Sequence, residues 1–97
     1  MTAIKDLHNG DKRVSVEAKV VEKSDVRQVQ SRFKNETYRI VDAVVADESG
    51  SIKLTLWNEQ IDLVNVGDNI KIDNGYITSF KGEIQLNVGK FGSLKVV

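Results

Sequence analysis

The sequence predicts an all-β protein: a small five-stranded Greek-key barrel with one short helix between strands 3 and 4. Three observations carry this. The dominant hydrophobic period is two, the pattern of half-buried strands. Turn-forming residues interrupt that pattern at short intervals. One segment, residues 58–66, breaks the alternation before it resumes.

Val14, Val16, Ala18 and Val20 alternate with Ser15, Glu17 and Lys19, giving a long first strand that runs past Glu22. Tyr38, Ile40, Val41, Val44 and Val45 make a second β-rich stretch, with an expected slip of phase at Asp42-Ala43. Between the two, residues 27–36 are polar and basic and read as strand ends around a projecting hairpin loop. Asp47-Glu48-Ser49-Gly50 is a turn signal, with Gly50 expected to supply a positive φ. Residues 51–57 alternate most cleanly: Ile52, Leu54 and Leu56 share one face, while Lys53, Thr55 and Trp57 share the other.

In residues 58–66, Ile61, Val64 and Leu63 are candidates for one buried stripe on a short helix, with Asn58 as its N-cap. Gly67-Asp68 closes this segment and launches a strand through Ile70 and Ile72. Strict alternation from Ile72 would carry Asn74 and Tyr76 into the core. A bulge at Asn74-Gly75 shifts the phase by one residue instead, turning Ile77 inward and Tyr76, Thr78 and Phe80 outward. Phe80-Lys81-Gly82 is then the hairpin tip, and Ile84, Leu86 and Val88 point inward on the last strand. The tail, residues 89–97, either adds a short edge strand through Leu94 and Val96 or hangs loose. Five strands with a helix in this position is the order of an OB-fold, a partly open barrel that binds oligomers on one strand face. SH3-like barrels are the alternative, and the helical segment favours the OB arrangement over them.

With 97 residues, no proline, no repeat and no linker, the chain is expected to form a single OB-fold domain over 1–97. The longest apolar run is four residues, so neither a transmembrane helix nor a signal-peptide core is present and no membrane association is expected. No cysteine and one histidine, His8, leave no disulfide, thiol nucleophile or clustered zinc site. No metal or cofactor is expected. His8 has no Ser-His-Asp spacing, and no Gly-rich phosphate loop opens a helix, so an enzyme is not expected.

Fourteen basic and fourteen acidic side chains cancel, yet they are unevenly placed. Residues 19–39 carry a net +3, residues 40–68 a net −5, and residues 69–97 a net +2. The first hairpin loop and the last strands are therefore the basic regions. An ordinary solvated loop would look the same, but Phe33 between Arg32 and Lys34 has little core to join at a loop tip. It reads either as a further stacking group or as packing on the barrel rim.

Trp57 leaves the core side with Lys53 and Thr55, unless it plugs the barrel end. Tyr76 and Phe80 share a face, roughly 13 Å apart along an extended strand. Exposed aromatics on neighbouring strands beside Lys53, Lys81, Gln85 and Asn87 make a stacking platform for nucleobases. A patch that covers a protein interface is the competing reading.

Leu54-Thr55-Leu56-Trp57, Gly67-Asp68, Asn74-Gly75-Tyr76, Phe80-Lys81-Gly82 and Gln85-Leu86-Asn87 occur in that order. With Arg27-Gln28-Val29-Gln30 and Asp47-Glu48-Ser49-Gly50, they resemble the single-OB-fold single-stranded DNA-binding proteins of archaea. The Sulfolobus-like members and the human single-OB homologues of DNA-damage sensing are similar. The resemblance covers about residues 5–90. It implies that Trp57, Tyr76 and Phe80 stack on bases, with Tyr76 standing where a tryptophan is common, and that Arg27 and Val29 line the DNA groove. Residues 31–37 depart from the Sulfolobus-like pattern, so Arg32, Phe33 and Lys34 rest on chemistry alone. Many such relatives carry a flexible carboxy-terminal tail for protein partners, and this sequence stops at Val97 without one; either the tail never existed or the sequence is a core domain.

The expected function is sequence-tolerant binding of single-stranded DNA in replication, recombination or repair. Trp57, Tyr76 and Phe80 would stack on bases, and Arg27, Lys53 and Lys81 would meet phosphates. Gln28, Gln85 and Asn87 would hydrogen-bond to base edges or sugar, with Thr55, Thr78, Arg32, Phe33 and Val29 completing the groove. So few cations imply a modest salt dependence, about two to four phosphates neutralised. A monomer in the cytoplasm, associated with the nucleoid and with replication or repair proteins as partners, is the expected setting. The alternatives are a protein-interaction OB module of a replication or repair complex and a single-stranded RNA binder.

Overall fold

A computed structural model describes residues 2–30 and 36–97, without the side chains at 89–91. The strands are β1 (Lys12–Lys23), β2 (Arg27–Gln30), β3 (Thr37–Asp47), β4 (Gly50–Trp57), β5 (Asn69–Phe80) and β6 (Glu83–Val96), with the short helix α1 (Glu59–Leu63) between β4 and β5. β1 pairs with β5 through its first half and with β3 through its second, which closes the circuit β1-β5-β6-β4-β3-β1. β2 is an extension that pairs with the first half of β3 beyond the barrel. Counting β1 and β2 as one interrupted strand gives the five-stranded OB-fold barrel, with α1 between the third and fourth barrel strands. No described helix is long and apolar enough to cross a membrane.

The alternating apolar residues fill the barrel. Val16, Val20, Val41, Val45, Leu54, Leu56, Ile70, Ile72 and Leu86 are fully buried, with Ile61 and Val64 closing the end beneath α1. Leu63 is instead exposed, so the stripe on α1 is narrower than expected. The Lys23 ammonium donates to the carbonyls of Ile61 and Val64 at 2.8 Å each, satisfying the open end of the helix. At another point of the barrel, Ile4 and Leu7 of an amino-terminal 3-10 turn are buried.

Three further local expectations change. β3 has no slip at Asp42-Ala43: its pairing with β4 is continuous, and Val41, Ala43 and Val45 all point inward. The irregularity lies on β1, between Val20 and Glu22. Gly50 has no positive φ. The Asp47 carboxylate shapes that turn, accepting from the Ser49 N–H, the Ser49 hydroxyl and the Gly50 N–H, and from Ile4 N–H across the chain. Asn58 makes no side-chain cap on α1. Its Oδ1 accepts the Arg39 N–H at 3.0 Å, while its own N–H donates to the Arg39 carbonyl, so it prolongs the β3–β4 ladder.

The bulge at Asn74-Gly75 is present, with Asn74 at φ 56° and the β5–β6 register shifting between Asp73 and Gly75. Ile77 is buried, and Tyr76, Thr78 and Phe80 face outward. Lys81 and Gly82 both have positive φ, the type I′ geometry that joins twisted strands most tightly. The tail is not loose: β6 continues along β5, pairing Leu94 with Ile72 and Val96 with Ile70.

Candidate nucleic-acid interface

Strand register assembles one outward face. Asp42, Thr55, Asn87, Tyr76 and Lys12 form a row across β3, β4, β6, β5 and β1. Val44, Lys53, Gln85 and Thr78 form the next row, and Arg27, Ile40 and Trp57 lie on the other side of the first. Val29 sits opposite Tyr38 on the β2 extension, and Phe80 opposite Glu83 at the β5–β6 hairpin. Directly paired residues share a face, and so do residues two apart on a strand, so these side chains project together.

Trp57, Tyr76 and Phe80 are 42%, 40% and 61% exposed, which removes the plugging role for Trp57. The step from Thr55 across Asn87 to Tyr76 is roughly 10 Å at the usual strand spacing, so Trp57 and Tyr76 flank a polar floor. On that floor the Asn87 amide donates to Thr78 Oγ1 at 3.0 Å and reaches the Gln85 carbonyl at 3.4 Å. At the hairpin tip the Lys81 ammonium lies 5.3 Å from the Phe80 ring centroid, a cation–π distance.

Two of the cations expected to meet phosphate are already ion-paired. The Arg27 guanidinium meets Asp42 Oδ2 at 2.8 Å, and the Lys53 ammonium meets Glu83 Oε2 at 3.6 Å. Gln28 pairs with Arg39 and therefore stands on the opposite face of β2 from Arg27 and Val29. Arg32 and Phe33 lie outside the described residues.

The chain matches the family model described as single-stranded DNA binding protein Ssb-like, OB fold, over residues 6–96. It belongs to this family. Within it, the single-stranded DNA binding protein Ssb of Saccharolobus solfataricus is 43% identical over 76 residues, which is 78% of this chain and 50% of that protein. The chain spans half or less of the length of the curated relatives it matches. Among solved structures, the replication factor A related protein from Methanobacterium thermoautotrophicum is similar with a TM-score of 0.81 at 25% identity, covering 100% of this chain and 90% of that one. A replication protein A heterotrimer bound to single-stranded DNA shares the fold at a TM-score of 0.78 and 18% identity, covering 100% of this chain and 24% of that one.

The same outward face also holds residues that sequence reasoning did not assign to it. Tyr38 packs edge-on against Trp57, and Ile40, Asp42 and Val44 share its side of β3. The signal that could have found them is register: once Trp57 is placed outward, its β3 partner Ile40 must be outward too. Lys12, opposite Tyr76, was hidden because β1 is irregular between Lys12 and Val14.

Proposed function

We propose that this chain binds single-stranded DNA with little regard to sequence, by stacking bases on Trp57, Tyr76 and Phe80. The observation that carries this reading is the spacing of three exposed rings around a polar floor of Thr55, Asn87, Gln85 and Thr78. Rings with free faces stack on any base, and a floor of hydroxyls and amides can follow base edges and sugars without demanding one sequence. Lys12, opposite Tyr76, and Lys81, beside Phe80, would meet the backbone at either end of this edge. Arg27 and Lys53 contribute by exchanging their carboxylate partners for phosphate. The Saccharolobus relative, itself called a single-stranded DNA binding protein, supports the same reading. The role that follows is binding rather than catalysis: covering exposed strands during replication, recombination or repair, beside protein partners of those processes.

The single tryptophan provides the test. Titration with an oligothymidine, then with its RNA and duplex counterparts, should quench Trp57 emission strongly and saturably for the single DNA strand and little for the duplex. No change with any of the three would reject the reading and favour a protein-interaction module.

A further inference from the structure

Two carboxylates stand on the platform itself. Asp42 lies in the row with Thr55, Asn87 and Tyr76, and Glu83 is paired with Phe80. Neither is buried, so neither is excluded from contact with a ligand lying on this face. Each engages a cation that would otherwise be offered to phosphate: Asp42 takes Arg27, and Glu83 takes Lys53. A surface built to hold nucleic acid through its backbone would leave those cations free.

We propose that Asp42 and Glu83 set the selectivity of this face for single strands over duplex, by neutralising Arg27 and Lys53 so that phosphate alone cannot hold a ligand there. The inference rests on the single-strand reading above. A duplex offers dense phosphate but hides its base faces in the stack, so its binding to such a surface is driven by charge. A single strand offers phosphates and open base faces together, and stacking is indifferent to the carboxylates. Phosphate approaching Arg27 or Lys53 must displace a carboxylate, and the displaced negative charge stays nearby to repel it. The penalty grows with phosphate density and falls mainly on the duplex. Specificity thus comes from a repulsive element set among attractive ones.

The test uses Asp42→Asn, Glu83→Gln and the double variant, with Glu17→Gln as a control. Glu17 lies opposite Lys71 on the other half of the β1–β5 pair, and its substitution changes net charge equally. Binding of labelled oligothymidine and of a labelled duplex is followed by fluorescence anisotropy across a salt series. Each platform substitution should raise duplex affinity at low salt by about two- to fivefold, the scale of one exposed ion pair. Single-strand affinity should change less, so the preference for single strands narrows, and the duplex salt slope should steepen by roughly one per freed cation. An unchanged preference, or an equal change in Glu17→Gln, overturns the inference. Because the two carboxylates lie on different strands, either variant decides the matter if the other disturbs the fold. Failure of the unsubstituted protein to bind oligothymidine would instead defeat the underlying reading.

Discussion

The ring of Tyr38 meets that of Trp57 edge-on, with centroids 6.3 Å apart and planes at 80°. Tyr38 lies two residues before Ile40, the β3 partner of Trp57, so the contact is a cross-strand diagonal. It restrains the indole from one side and leaves 42% of the tryptophan open. Tyr38→Ala should weaken oligothymidine binding by about 0.5–1.5 kcal/mol, the worth of such an aromatic pair. It should also lower the emission anisotropy of free Trp57, while Tyr38→Phe keeps both. An alanine variant indistinguishable from the parent would show that the rings touch without consequence.

The same tyrosine should titrate late. Its hydroxyl donates to Glu36 Oε2 at 2.8 Å. That hydrogen bond first, then desolvation and the Glu36 charge, raises its pKa above the ordinary 10.0. A raised folded value means that the contribution is fully present below the unfolded pKa and disappears as pH climbs through the folded one. Tyrosinate absorbance, read as the difference between the parent and Tyr38→Phe, should show a midpoint above 10.0, and Glu36→Gln should move it back down.

Trp57→Ala and Phe80→Ala should each weaken single-strand binding by about 1–3 kcal/mol. Neither side chain belongs to the buried cluster, so thermal unfolding followed by circular dichroism should change little. Unfolding of Trp57→Ala at ordinary temperature would make the tryptophan structural.

Gly75→Ala tests the bulge. A Cβ there would meet the Asn87 carbonyl oxygen at 3.0 Å and the Ile72 and Leu86 methyls at 3.2 Å. Backbone on one side and packed core on the other leave little room to yield, so destabilisation of about 1–3 kcal/mol is expected in urea unfolding. Single-strand affinity should fall as well, since Gly75 sets the phase that turns Tyr76 outward. A variant of unchanged midpoint would mean that the bulge accommodates a side chain.

Asp47 should govern part of the acid limb of stability. Hydrogen bonds from Ser49 above all, then from the Ile4 and Gly50 amides, hold its pKa below the ordinary 3.8. A depressed folded value contributes stability above the unfolded pKa and loses it as pH falls through the folded one. Asp47→Asn should therefore be less stable than the parent at pH 7, with the gap closing below about pH 4. A gap independent of pH would remove the carboxylate charge from the explanation.

The barrel was legible wherever one face of a strand is apolar and the other is not. Val14 to Val20 and Ile52 to Leu56 are such cases, and inward Ile77 even betrayed the bulge. β3 misled because both its faces carry apolar side chains: Val41, Ala43 and Val45 enter the core, while Tyr38, Ile40 and Val44 line the platform. Period two disappears when both sides are useful. Gly50 and Asn58 misled for a different reason. Propensity assigned them local duties, but Asp47 shapes the first turn through its side chain and Arg39 claims the asparagine from another strand. The outward placement of Trp57, Tyr76 and Phe80 was legible from local alternation together with the bulge expected at Asn74-Gly75. The ion pairs beside them were not, since Arg27 and Asp42, or Lys53 and Glu83, meet only after strands distant in sequence align.

The closure of the barrel between β4 and β6 has a consequence for motion. These strands run parallel and pair only from Lys53 with Gln85 to Thr55 with Asn87, whereas β5 and β6 pair from Ile70 to Phe80. This short seam joins the middle of the chain to its carboxy-terminal strand, and the platform straddles it, with Trp57 on one bank and Tyr76 beyond the other. A strand of nucleic acid resting on both rings would act as a clasp across the seam. Opening the barrel there would require letting go of the ligand, so the ease with which the two halves part and the tightness of binding become one linked equilibrium.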